Sequence, residues 1–376
     1  MRGPTVRTVS FLIISCLLVL RCVAEETSPA KTYFVYLVCE GADKIAVVRF
    51  GPDGAKVDHT LHTGLMPGAD ISGPHGIVMS PDRQYYYVTI AHGRPYGKAL
   101  KYRTKDDTVV GQVPLGYFPA TVDITPDGNF IYEVNFNLHG DMVPSSVSVV
   151  ATDEMVEAAR IPTCVMPHGS RLNPAGTKQY SACMMDDMLV EIDTSKFSVS
   201  RHFVLTQGRE AGFSGPPPQD HHTMTNASCS PTWAQPSPDG KSIYVACNKS
   251  DEIVEVDADS WSLRRRIPTG PGVYNLAISK DGKMLATNKR GQSVSVFELA
   301  SGYELVRLQT KRKVPDGVVV TPDGLYAFVA VEGIGSEPGT VEVIDLHSLK
   351  TVATVDVPEQ AVGIDFWKVE SATPPR

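Results

Sequence analysis

Histidine recurs in one restricted setting along this chain. It stands before glycine in Pro74-His75-Gly76, Ala91-His92-Gly93, Leu138-His139-Gly140 and Pro167-His168-Gly169, and a further pair, His221-His222, lies beyond Pro216-Pro217-Pro218. Imidazole titrates nearest neutrality and is the usual ligand of copper, zinc and iron. The thioethers of Met166, Met184, Met185 and Met224 would add soft donors. Gathered in one place, His75, His92, His139, His168, His221 and His222 would suit a transition-metal site, copper first, or acid–base chemistry. A third reading is structural: imidazoles at strand starts bridge neighbouring backbones through carbonyl groups. No HxH or HExxH spacing occurs, so only the fold can bring these residues together.

Polar residues of a second kind accompany them. Asn135, Asn137, Asp186, Asn288, Lys289, Arg290, Asp316 and Glu332 all fall just after or just before stretches that read as strands. Lys289 and Arg290 would together hold an anion, because guanidinium offers a planar two-pronged donor. The same charges would equally serve solubility and ion pairing between neighbouring elements.

What must position these groups is written in the turns. A short signature returns six times, as SPDR at 80–83, TPDG at 125–128, NPAG at 173–176, SPDG at 237–240, SKDG at 279–282 and TPDG at 321–324. The intervals are 45, 48, 64, 42 and 42 residues. A period in the forties, with each turn between short β-branched and aromatic stretches, predicts an all-β, seven-bladed β-propeller. Second strands read YLVC at 36–39, YVTI at 87–90, YEVN at 132–135, YSAC at 180–183, YVAC at 244–247, MLAT at 284–287 and FVAV at 328–331. That makes seven blades with six signatures. Blade 1 lacks an inner strand of its own, and GIDFWKV at 363–369 fits its register, so the C-terminal strand is expected to close the ring against the N-terminal blade. In this register the inner-strand starts (Val362, His75, Ala120, His168, Thr232, Tyr274, Asp316) and the ends of the second strands share one mouth of the central channel.

The repeats resemble those of the YVTN-repeat family of bacterial seven-bladed propellers over about 31–370. The broader architecture is similar to lactonase-type propellers, to large chains of quinoprotein amine dehydrogenases and to propeller domains of nitrous oxide and haem nitrite reductases. That resemblance implies a rigid ring with its chemistry at one mouth, and it leaves the chemistry open. No CxxCH, P-loop, GxSxG or EF-hand loop is present, which argues against covalent haem and nucleotide hydrolysis.

Residues 1–24 read as a signal peptide: Arg2 and Arg7, an apolar run from Val9 to Leu20, and a cleavable end at Ala24. Lipid attachment at Cys22 is disfavoured by Arg21 before it. A propeller domain would follow over 31–370, with a tail over 371–376, in a periplasmic or secreted protein. Without residues 1–24 the chain carries a net charge of −10, a poor match for nucleic acid or anionic membranes. Five cysteines remain, and the blade alignment sets Cys164 beside Cys183 and Cys229 beside Cys247, so two disulfides are expected, with Cys39 left over and buried. A thiolate-ligand role for Cys183 and Cys247 is the alternative.

Two classes of function follow. One is a binding module whose mouth takes a small molecule, a metal ion or a protein partner. The other is an enzyme, either a metal-dependent oxidoreductase or a lactonase-like hydrolase centred on His75 and His168. No particular cofactor is dictated, and the mature chain is expected to have no transmembrane segment.

Overall fold

The computed structural model describes residues 3, 29–64, 72–92, 97–138, 140–216 and 227–371. The signal-peptide expectation, Gly3 aside, lies outside the described residues, as do His139, His221, His222 and Met224. Among the described residues no helix is long and apolar enough to cross a membrane.

Seven antiparallel sheets stand around a central channel, six with four strands and one with five. The inner strands of blades 2 to 7 are Pro74–Met79, Pro119–Ile124, Pro167–Leu172, Pro231–Pro236, Val273–Ile278 and Val314–Val320. Each is followed through its turn by a second strand, and blade 4 adds a short outer strand, Ala211–Phe213. Second and third strands are buried along nearly their whole length, as in Ser242–Cys247, because the neighbouring blades cover both faces of each sheet. Outer strands lose that cover on one side. Glu304–Gln309 accordingly alternates between exposed and half-buried residues.

Ring closure follows the register expected from the sequence. Ala361–Ser371 runs antiparallel to Lys31–Cys39, pairing Lys31 with Ser371, Tyr36 with Asp365 and Cys39 with Ala361. The chain's last strand is therefore the inner strand of its first blade.

The repeated turn is held by its own side chains. In blade 3 the Thr125 hydroxyl donates to Asp127 (2.6 Å), Asp127 accepts from the Asn129 amide (3.1 Å), and Gly128 takes a φ of 77°. The pairs Ser80–Asp82, Ser237–Asp239, Ser279–Asp281 and Thr321–Asp323 repeat the hydroxyl–carboxylate contact. These turns lie at the end of the channel away from the candidate mouth.

A bulge sets which inner-strand side chains meet the channel. Register shifts fall between Pro74 and Ile77, Pro119 and Val122, Pro167 and Ser170, and Pro315 and Val318. An extra residue there re-aims the strand, so positions two and five, counted in blade 7 from Pro315, both face inward rather than alternating. The second positions form a ring at the mouth, with His75, His168, Tyr274 and Asp316 lining it. The fifth positions, Val78, Asp123, Arg171, Gln235, Ala277, Val319 and Asp365, form a ring further down. Blades can approach this closely because the third position is often glycine: a Cβ on Gly76 would lie 2.2 Å from the Ala120 carbonyl oxygen.

Candidate site at the channel mouth

Each inner strand opens at the mouth and each second strand ends there, so the rim draws on two short segments per blade. Cys164–Cys183 and Cys229–Cys247 are disulfides. Cys164 lies on the outer strand of blade 3, Val156–Val165, rather than at the start of blade 4's inner strand, so its bridge joins neighbouring blades, whereas Cys229–Cys247 ties the segment entering blade 5 to the end of that blade's second strand. Cys39 is free and buried, and burial pushes its thiol up to about 12.

Three described histidines reach the rim, in two arrangements. Glu40, at the end of blade 1's second strand, stands between His75 and His92 of blade 2: His75 Nδ1 lies 2.6 Å from one carboxylate oxygen and His92 Nε2 lies 2.7 Å from the other. Burial works against charge on both His75 and Glu40, but their mutual attraction prevails. His75 is raised above its ordinary 6.5 and Glu40 is held well below the usual carboxylate range. His168 stands apart. Its Nδ1 is 2.9 Å from the Thr232 carbonyl of the next blade and its Nε2 is 3.0 Å from the Tyr274 hydroxyl. With Nδ1–H given to the carbonyl, Nε2 accepts from Tyr274. Burial lowers His168 to about 4, so the imidazole is neutral, and burial likewise raises the Tyr274 phenol.

A buried ionic cluster occupies the far side of the rim. The Lys289 ammonium lies 2.5 Å from Asp316, 3.2 Å from Glu332 and 3.7 Å from the centre of the Tyr274 ring. Burial disfavours the lysine charge, yet Asp316 and its neighbours raise Lys289 above its ordinary value. One ammonium faces two carboxylates, so one of them is held less firmly. Burial, reinforced by Asp316, carries Glu332 up to about 7 despite the attraction of Lys289.

The opposite wall is apolar. Phe118, Phe136, Val165 and Met166 pack there with the half-buried Met184 and Met185. Phe118 meets His75 and His92 edge to face at 5.4 and 5.1 Å, and Phe136 meets His168 at 4.7 Å. The mouth therefore has one charged, hydrogen-bonding side and one aromatic and thioether side.

Other residues expected at the site take supporting parts. Asn135 and Asn288 occupy equivalent strand ends, where their side-chain amides donate to Ser148 and Ser295. Asn137 donates to the Asp141 carbonyl and Asp186 accepts from the Val165 amide. Arg290 clasps blade 5 through Asn248 and Asp251. Lys289 is likewise committed within the protein, to two carboxylates. Among the described residues no group of three or more His, Cys, Asp or Glu is placed to hold a metal ion.

A clasp shared by three blades went unread in the sequence. Asp43, Asp187 and Asp251, all with positive φ, sit just after a second strand and accept backbone N–H groups from the segment entering the next blade: Ser72 and Gly73, Ser228 to Ser230, and Gly272. The signal was available, as an Asp four residues beyond the second strand in blades 1, 4 and 5. Glu40 and Tyr274, the central partners of the histidines, stood at rim positions in the sequence alignment but not among the expected ligand residues. Their importance comes from side-chain direction.

Solved structures share this architecture. The periplasmic gluconolactonase of Pseudomonas aeruginosa is 20% identical with a TM-score of 0.67, over 90% of this chain and 99% of that one. A putative 6-phosphogluconolactonase from Bacteroides fragilis is 15% identical with a TM-score of 0.63, over 92% and 99%. Hydrazine synthase of Kuenenia stuttgartiensis is 22% identical with a TM-score of 0.59, over 76% and 80%. At such identities the likeness is one of fold alone. No protein-family model matches the chain, and no curated protein matches it.

Proposed function

We propose that the channel mouth binds a small, polyhydroxylated, carbohydrate-like molecule, in a protein exported from the cytoplasm with residues 1–24 as its signal peptide. The observation that carries this reading is the two-sided mouth. Hydroxyl groups suit the carboxylates and imidazoles of Glu40, His92, Asp316 and Glu332, while the C–H face of a sugar ring suits Phe118, Phe136 and the methionines. The disulfides favour an oxidising compartment, and the repeats' likeness to YVTN propellers accords with it. Metal binding is the less favoured use of these histidines, because His75, His92 and His168 are each engaged by protein groups.

The test is calorimetric titration of the full chain with D-glucono-1,5-lactone, gluconate and methyl glucoside, alongside Lys289→Met and Glu40→Gln variants of matched thermal stability. Saturable binding that weakens about tenfold or more in either variant supports the reading. No binding by any of the three, or wild-type affinity in both variants, refutes it.

Glu332 favours a second reading, hydrolysis of a sugar lactone. A carboxyl that exchanges its proton near neutrality is suited to activate water, and the adjacent Lys289 ammonium is suited to the oxyanion formed at the lactone carbonyl. Lactone consumption followed by proton release would then fall in Glu332→Gln, with binding retained.

A further inference from the structure

The lower ring holds a cation without a counter-ion in contact. Arg171, fifth residue of blade 4's inner strand, donates once, to the Ser170 carbonyl (2.8 Å), and its guanidinium lies over the Trp233 ring, 4.4 Å from the ring centre. Among the described residues no carboxylate comes within ion-pair distance of it, unlike Arg201, Arg265 and Arg266 on the outer strands. Two carboxylates do share its ring, Asp123 and Asp365, but both are spent on backbone: Asp123 accepts from Ile124 and Leu172, and Asp365 from Met79 and Phe366. Burial raises both, while the charge of Arg171 acts to lower them.

The platform is specifically built. Trp233 lies against blade 4 only because residue 169 is glycine, where a Cβ would fall 2.4 Å from the indole. Around it two buried polar atoms lack partners, the indole Nε1 of Trp233 and the side-chain oxygen of Asn275. Both residues line the same cavity as Arg171, and Arg171 and Gln235 line the cavity beneath it.

We propose that this waist of the channel is a binding site for a small carboxylate. The guanidinium lines the channel and spends one of its five N–H donors on the protein, leaving a fork of the kind that a carboxylate meets with two parallel bonds. Contact with the Trp233 face holds the cation at the channel wall. The narrow bore, walled by Val122, Val318 and Ile364, limits the ligand to a few heavy atoms. This site lies one ring below the mouth, in a cavity that His75, His168, Tyr274 and Asp316 also line, and its test does not depend on what the mouth binds.

Acetate is the probe, with acetamide as its uncharged counterpart, titrated into the full oxidised chain at constant ionic strength. Tryptophan fluorescence reports the event, and Trp233→Phe identifies the reporting indole. A saturable acetate response, absent with acetamide and weakened at least about tenfold in Arg171→Gln, is expected. Should that variant fail to fold, Arg171→Lys keeps the charge and removes the fork, and is expected to bind at least about fivefold more weakly. No saturable response, an equal response to acetamide, or wild-type affinity in the folded Arg171 variant overturns the proposal.

Discussion

Removing residues 359–376 should unfold the whole ring rather than fray one blade. The deletion takes away the inner strand of blade 1, with Val362, Ile364 and Phe366 exposed by only 3%, 7% and 5%. Burial of three such side chains contributes about 1.5–3 kcal/mol each, about 5–9 kcal/mol together. Trp367, edge to face with Tyr36 at 5.3 Å, adds to that sum. Since whole domains are stable by only about 5–15 kcal/mol, the loss consumes most of the margin. It also bares the inner edge of Lys31–Cys39, an open template for association. Urea unfolding followed by circular dichroism, with size-exclusion chromatography, measures both effects. Phe366→Ala supplies a graded version at about 3–5 kcal/mol, and a peptide spanning 359–371 added in trans should recover part of the loss. A truncated chain that stays monomeric and unfolds at the full-length midpoint would refute the argument that this strand closes the ring.

The buried carboxyl of Glu133 has no hydrogen-bond partner on either oxygen and is raised well above its ordinary value by burial. Its contribution to stability is therefore complete below about pH 4.5 and declines as pH rises, so Glu133→Met should raise the melting temperature and flatten its fall with pH. The Glu40–His75 contact behaves differently because its two members shift oppositely. Glu40, lowered on folding, stabilises above its ordinary 4.5 and loses this as pH falls through its folded value; His75, raised on folding, stabilises below 6.5 and loses this as pH rises through its folded value. Glu40→Gln should thus cost most between those limits, as read from melting temperatures across pH. Cys39, with its thiol near 12, should resist a disulfide reagent in the native chain at pH 8 and react fully after denaturation.

The turn spacing and the missing seventh signature were enough to read the blade number and the closing strand, because both depend on period and register. The disulfide partners were legible for the same reason, since Cys164 and Cys183 fall at the same rim in any alignment of the blades, although Cys164 belongs to blade 3's outer strand and not to blade 4. Side-chain direction was not legible. Glu40 separates His75 from His92, and Ala120 is small enough to let His75 and His168 approach to 6.3 Å between ring centres, yet nothing in the spacing reveals either relation. Arg171 escaped notice because period-two alternation would turn it away from the channel. The bulge at the third position of the strand brings it back.

Two native bridges, one between blades 3 and 4 and one within blade 5, with Cys39 upstream of both, have a consequence for how the protein is oxidised. An oxidase that joins cysteines in order of emergence would link Cys39 to Cys164 and Cys183 to Cys229, stranding Cys247. Local loop closure favours the native partners, which stand only 19 and 18 residues apart. The remaining safeguard is withdrawal of Cys39 into its hydrophobic cluster, yet the strand that covers it is the last to be made. Until then the Cys39 thiol is open to mispairing, and Cys39→Ala should raise the share of chains that form both native bridges on oxidative refolding.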